Sequence, residues 1–443
     1  MYTKTNKSSK HFLGRSTIVV GLLALLSGPT LADGSGGFPL TPFSRVAIID
    51  PDGADPIQLA KDVATEIATY VATVDDTDPL DVTSNWVLAG VEGTTPSAEQ
   101  IEEAILRVPT PVPGKKINIL EICNKTFASK ALGVLPVVDG DDSTKIVNGY
   151  IHATALPCEV AVYAGDDGLV HIEMLNPEAI FSLFFTDVLF GTQMEDTTFA
   201  EAIQELPAQV NSEIRIVIGR ALDDAGISYT PSSESLGPVY SSVQDVGQAV
   251  ADSPYQSPYV HFVYEKADGS DFSNADVKAI ADAIIRTVSV DGAHERSLDA
   301  QLYTRDWRAA RSAPLAVPGN NLVIETCSPT NATMAMDLGL EYATALPCEL
   351  AVKSLDWDGV AGNEILMITY LDPHFMFNAL FNDAFDALTD AELADFSMLP
   401  TMVYEDLRTI VKASLQRKDL GFTLRRRGQP EQVFFDMLGV FTP

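Results

Sequence analysis

The sequence predicts an α+β protein built from two tandem copies of one small domain, each an antiparallel sheet packed against helices. Three observations predict it: landmarks that occur twice in the same order, short apolar segments that pair as hairpins, and helical periodicity between them. Leu120-Glu121-Ile122-Cys123-Asn124 returns as Ile324-Glu325-Thr326-Cys327-Ser328, and Ala153-Thr154-Ala155-Leu156-Pro157-Cys158-Glu159 returns residue for residue from Ala343 to Glu349. Leu175-Asn176-Pro177 is echoed by Leu371-Asp372-Pro373, and Leu206-Pro207 with Val210 and Arg215 by Leu399-Pro400 with Val403 and Arg408. The offset between copies drifts from 204 to 190, 196 and 193. Connections therefore change length while core elements stay, which is cheap because loop-closure entropy grows only with the logarithm of length. The extra stretch around Asp139 to Ser143 and the insertion around Asp356 to Asn363 read as solvent loops.

Before the first copy, residues 1–32 have the form of a cleaved leader. Lys4, Lys7, Lys10 and Arg15 precede the short apolar run Ile18 to Leu26; Gly28-Pro29 breaks it, and Thr30-Leu31-Ala32 offers small residues for a peptidase. The expected division is a signal peptide over 1–32, a first domain over 33–230, a linker over 231–257 and a second domain over 258–443. A periplasmic or secreted location follows, with no integral membrane segment once the leader is gone.

Taken in order, Asp55 to Val71 spaces Ile57, Ala60, Val63, Ala64, Ile67 and Val71 on one helical face. Ser97 to Leu106 reads as a second helix, with Glu residues in its first turn. Ile117 to Ile122 is a strand running into Cys123, and Phe127 to Leu132 a helix, matched by Ala332 to Leu338. Glu159 to Tyr163 and Leu169 to Met174 flank the turn Ala164 to Gly168 as a hairpin; Glu349 to Lys353 and Glu364 to Tyr370 repeat it. Asn176-Pro177 and Asp372-Pro373 each open a helix, because Asn or Asp caps it and Pro is tolerated in the first turn. Ser212 to Ala225, Asn274 to Thr287 and Tyr404 to Arg417 complete the helices.

With 46% hydrophobic residues in 443 the chain can bury more than one core. Its net charge of −32, four units lower without the leader, repels nucleic acid and anionic membranes. The run Arg425-Arg426-Arg427 is the local exception, read as solvated or paired with an acidic face.

Four cysteines carry the first chemical expectation. An exported chain with an even count is read as bridged, and the duplication favours Cys123 with Cys158 and Cys327 with Cys348 as disulfides or redox pairs. Such bridges would contribute about 3–4 kcal/mol each by the chain-entropy argument. The alternative leaves the thiols to redox chemistry or to a metal or cofactor, although no Cys-x-x-Cys and no haem-attachment motif is present. Glu121, Glu159, Glu325 and Glu349 recur beside the cysteines as accessory carboxylates, either turned to solvent or paired with Arg215 and Arg408. No histidine recurs in both copies, so no shared histidine–metal site is expected, and no cofactor is predicted. Nucleophile-elbow, phosphate-loop and dinucleotide patterns are missing. The aromatic runs Phe181 to Phe185 and Phe375 to Phe381 suit a ligand groove or domain packing.

The steps Cys123-Asn124, Leu156-Pro157-Cys158 and Asn176-Pro177, with Cys327-Ser328-Pro329, Leu346-Pro347-Cys348 and Asp372-Pro373, resemble the domain of unknown function 302 family. Lys125 departs from the pattern where the family has Pro. The family-like cores span about 117–187 and 320–383. The resemblance implies a small α+β domain that pairs, so that two copies in one chain would form an internal pseudo-dimer; it implies no activity. The functional expectation is a disulfide-stabilised module that binds a small ligand or a partner protein, with a thiol-redox or metal-handling protein as the alternative.

Overall fold

A computed structural model describes residues 38–74, 81–91, 95–132, 148–156, 158–185, 197–254, 257–288, 307–309, 314–317, 321–346, 348–356 and 364–426. The expected leader over 1–32, the 139–143 stretch, Pro157 and Pro347 lie outside them.

The first domain runs β1 (Phe43–Ile49), α1 (Pro56–Thr73), β2 (Trp86–Leu88), α2 (Ala98–Ala104), β3 (Ile105–Pro109), β4 (Lys116–Asn124) and α3 (Lys125–Ala131). The 3-10 helix η1 (Asn148–Ala155) follows, then β5 (Cys158–Ala164), β6 (Val170–Leu175), α4 (Pro177–Phe184), α5 (Thr197–Asp224), β7 (Thr230–Pro231) and β8 (Ser235–Leu236). After α6 (Val243–Asp252) the order repeats: β9 (Tyr259–Lys266), α7 (Asn274–Val288), β10 (Arg308–Ala309), β11 (Leu315–Val317), β12 (Asn321–Cys327), α8 (Pro329–Met336) and the 3-10 helix η2 (Leu340–Ala345). The chain closes with β13 (Cys348–Asp356), β14 (Glu364–Leu371), α9 (Pro373–Leu380), α10 (Asn382–Ala387), α11 (Asp390–Phe396), α12 (Leu399–Leu415) and β15 (Leu424–Arg426).

Both sheets are antiparallel and share one strand order, β2-β4-β5-β6-β1-β7 in the first domain and β10-β12-β13-β14-β9-β15 in the second. The two tandem sheet-and-helix domains are thereby established. Asp55 caps α1 by accepting from the Ile57 amide, and the helix buries Ala60, Val63, Ala64, Ile67 and Val71 against β4 and β5. The helix expected over 97–106 stops at Ala104 instead. Ile105, Leu106 and Val108 go into a strand paired with Lys116–Leu120, as apolar and β-branched residues ahead of Pro109 favour. The 231–257 segment carries β8 and α6, and the Arg run is paired in part, with Arg425 on Glu265 and Arg426 over the Phe262 ring.

The domains join reciprocally. η1 of the first packs on β12, β13 and β14 of the second, while η2 of the second packs on β4, β5 and β6 of the first. This makes the chain an internal pseudo-dimer. The aromatic runs cement it: Phe184 meets Phe375 edge-on at 5.4 Å, and His152 stacks on Phe185 at 4.3 Å with Tyr259 at 5.2 Å. Burying such rings contributes about 1.5–3 kcal/mol each. Directional bonds fix the orientation, with the Tyr240 hydroxyl donating to the Ala379 carbonyl at 2.6 Å and Tyr259 to that of Phe184 at 2.9 Å.

Candidate functional site

The cysteines lie at one end of each sheet, and the ladder register decides their fate. Cys158 stands opposite Ile122 and Cys348 opposite Thr326. Each Cys pair is thus one register position out of line, although Cys123 and Cys158 both border one small cavity. All four are free thiols. The expected bridges Cys123–Cys158 and Cys327–Cys348 are therefore corrected, and with them the disulfide-stabilised module and the redox alternative, which needs a closely paired dithiol. Burial pushes the Cys123 thiol up to about 12 and that of Cys348 likewise to about 12, which suppresses the reactive thiolate. Among the described residues no group of three or more His, Cys, Asp or Glu is arranged to hold a metal.

A Trp–carboxylate pair recurs at these ends, joined in each domain by an Asn from a different position. The Trp86 indole donates to Glu213 at 3.1 Å and Asn124 donates to the same oxygen at 3.2 Å. In the second domain Trp307 donates to Asp406 at 2.7 Å, with Asn331 at 3.5 Å. Trp86, Cys123, Asn124 and Cys158 border a cavity of about 20 Å3, too small for an organic ligand.

A polar cleft of about 530 Å3 lies between the domains. Its first-domain wall holds Arg45, Lys115, Tyr163 and His171, and its second-domain wall Asp337, Gly339 and Glu341. Arg45 is aimed by a β-bulge: β1 pairs Arg45 with Glu173 and Ala47 with Ile172, leaving Val46 over. Its Nε and Nη2 donate to Glu173 at 2.9 and 2.8 Å, and Nη1 reaches Glu234. Lys115 Nζ bonds Asp166 at 2.7 Å, and His171 Nε2 contacts Asp167 at 3.0 Å. Burial raises the carboxyl pKa of Glu173 against the pull of Tyr163 and Arg45, and burial raises Glu341 too. His171 Nδ1 and Glu173 Oε2 are buried without a hydrogen-bond partner.

Two glycines keep the cleft open. A Cβ on Gly165 would stand 2.4 Å from the Asp167 carboxylate and 2.5 Å from His171 Nε2. One on Gly339 would stand 2.7 Å from the Glu341 carboxylate.

The corresponding face of the second domain has diverged. The register puts His261 opposite Thr369 where the first domain has Arg45 and Glu173, and Lys353 opposite Met367 where it has Tyr163 and His171. β9 has no bulge between Tyr259 and Tyr264. His261 Nδ1 meets the Thr369 hydroxyl at 2.9 Å, and burial with His152 nearby pushes its pKa down to about 3. Lys353 is driven down to about 7 by burial.

The accessory carboxylates are buried, not turned to solvent: Glu121, Glu159, Glu325 and Glu349 are 2 to 5% exposed. Nor do they meet the expected arginines. Arg215 donates to Asn211, Ser44 and the Ser232 carbonyl, and Arg408 to Glu405. Glu121 faces Glu159 across one ladder and Glu325 faces Glu349 across the other, and burial pushes the Glu159 carboxyl up to about 8.

No family model matches the chain, and no curated protein and no solved structure is detectably similar to it. The likeness to the 302 family gains no support from these comparisons.

The repeat located the four glutamates but missed the cleft. A duplication filter retains what both copies keep and discards residues by which one copy differs, which is how His171 and Arg45 escaped. Trp86 with Trp307 and Glu213 with Asp406 were within its reach, since Glu213 and Asp406 share the 193 offset of Leu206 and Leu399.

Proposed function

We propose that this chain is an exported binding protein that takes up a small polar ligand in the cleft between its two domains. The observation that carries the reading is the cleft itself, about 530 Å3 with walls from both domains, a size that suits a small molecule. His171 is buried with an unsatisfied Nδ1 at its wall, and such a group stabilises a ligand that completes its hydrogen bonding. Arg45 and Lys115 beside Asp166, Asp167 and Glu341 favour a ligand with charges of both signs or several hydroxyls. Export rests on the basic, apolar and small-residue order of residues 1–32. A place near the domain of unknown function 302 family rests on the recurring Cys, Leu-Pro-Cys and Asn/Asp-Pro steps, and supplies no activity.

Thermal unfolding against a panel of amino acids, hydroxy acids and sugars tests the binding. One class is expected to raise the midpoint, by about 2.7 kcal/mol of added stability at a hundredfold excess over Kd. The gain should vanish in Gly165→Val, whose side chain enters the His171 space. A panel that shifts nothing at millimolar concentration contradicts the reading. Export predicts a mature N-terminus at Asp33.

A further inference from the structure

The cleft between the domains holds more acceptors than donors. Each of the three Arg45 guanidinium nitrogens is already bonded to a carboxylate, Nε and Nη2 to Glu173 at 2.9 and 2.8 Å and Nη1 to Glu234. Lys115 Nζ bonds Asp166 at 2.7 Å. The second-domain wall adds two further carboxylates, Asp337 and Glu341, and neither is in an ion pair among the described residues. Glu341 stands on η2, which packs on β5 and β6, the strands of Tyr163 and His171.

His171 is an independent sign of the missing donor. Its side chain is 6% exposed, and its Nε2 lies 3.0 and 3.1 Å from the two Asp167 oxygens. An ionised carboxylate only accepts, so Nε2 carries the hydrogen and Nδ1 of the neutral ring is an acceptor. That Nδ1 is buried with no hydrogen-bond partner, at the wall of the same cleft.

We propose, on the reading of the cleft as a ligand site, that what it recognises is an aliphatic amine whose ammonium group pairs with Glu341. An ammonium brings three donors and no acceptor, the complement of what the walls leave unspent. A carboxylate or phosphate would instead meet Asp166, Asp167, Asp337 and Glu341 with both cations already engaged. Val112, Met336 and Leu340 border the same space, and Val112 is 51% exposed, so a methylene stem has apolar surface to cover. The Thr333 hydroxyl donates to the Pro109 carbonyl across the domain boundary at 3.1 Å, which fixes α8 and the Asp337 after it against the β3 end of the cleft. The net charge of −32 draws cations towards the molecule.

Isothermal titration of the full chain with 1,5-diaminopentane, 5-aminopentanoate and 5-hydroxypentanoate tests the assignment. Suitable conditions are about pH 8, where an ordinary imidazole is neutral, and about 0.15 M salt, which screens long-range attraction. Both amines are expected to bind, and the hydroxy acid is not. Glu341→Gln should weaken the amines about tenfold, the loss of a charge-assisted hydrogen bond. Asp337→Asn, at an exposed position, should weaken them about threefold, as for an exposed ion pair. Amines that bind no better than the hydroxy acid overturn the proposal and leave the cleft as a ligand site for another class. A Glu341→Gln variant that binds amines as tightly as the wild type overturns it too, and if that variant does not fold, an unchanged Asp337→Asn does so. Failure of every probe and of the wider panel removes the cleft reading itself.

Discussion

At the scale of residues, one register position separates a disulfide from four free thiols. The sequence places Cys123 and Cys158 at the ends of neighbouring strands, and export with an even count argues for a bridge. Had Cys158 stood opposite Cys123, the bridge would have been geometrically open. It stands opposite Ile122, one position out of register, and although both residues border one small cavity the two remain free thiols. Register of this kind depends on the pairing of whole strands and is not written in either Cys-containing motif. We expect thiol titration to find four reactive cysteines per chain in denaturant without reductant, and slow reaction in the native protein, whose Cys123 and Cys348 are held near 12 by burial. A count of zero in denaturant would restore the bridges.

Among the elements, hairpins and Asn/Asp-Pro helices were legible because their signals are local. Asn176 and Asp372 accept from the amides two residues on, as cap chemistry requires. β1 and β9 were not singled out, although each lies inside its sheet. They are seven and eight residues of largely buried chain, and a short apolar run without alternation does not declare its type. Their omission hid the cleft, because the β1 bulge sets Arg45 against Glu173. The packing of α4 against α9 was foreseen only as one of two uses of the aromatic runs. Phe184, 2% exposed, meets Tyr259 as well as Phe375. Phe184→Ala should cost about 3–5 kcal/mol in denaturant unfolding. A loss under about 1 kcal/mol would mean that the ring does not hold the domains together.

For the molecule as a whole, duplication explains both what is shared and what differs. The common strand order, the Trp–carboxylate pairs and the four buried glutamates are the frame. The Arg45–Glu173 pair with Tyr163 and His171, against His261, Thr369, Lys353 and Met367, is one copy's specialisation. No helix among the described residues is long and apolar enough to cross a membrane.

The central claim is that the two copies act as one body across a shared buried face, on which the cleft depends. The three tryptophans allow a direct test, since Trp86 reports on the first domain and Trp307 on the second. With Trp357→Phe as background, equilibrium unfolding of Trp86→Phe and Trp307→Phe variants, each also followed by circular dichroism, gives each domain its own fluorescence probe. Coincident fluorescence and circular-dichroism transitions within each variant are predicted, as for a single cooperative unit. Fluorescence that separates from the circular-dichroism curve, with one domain melting well before the other, would contradict it.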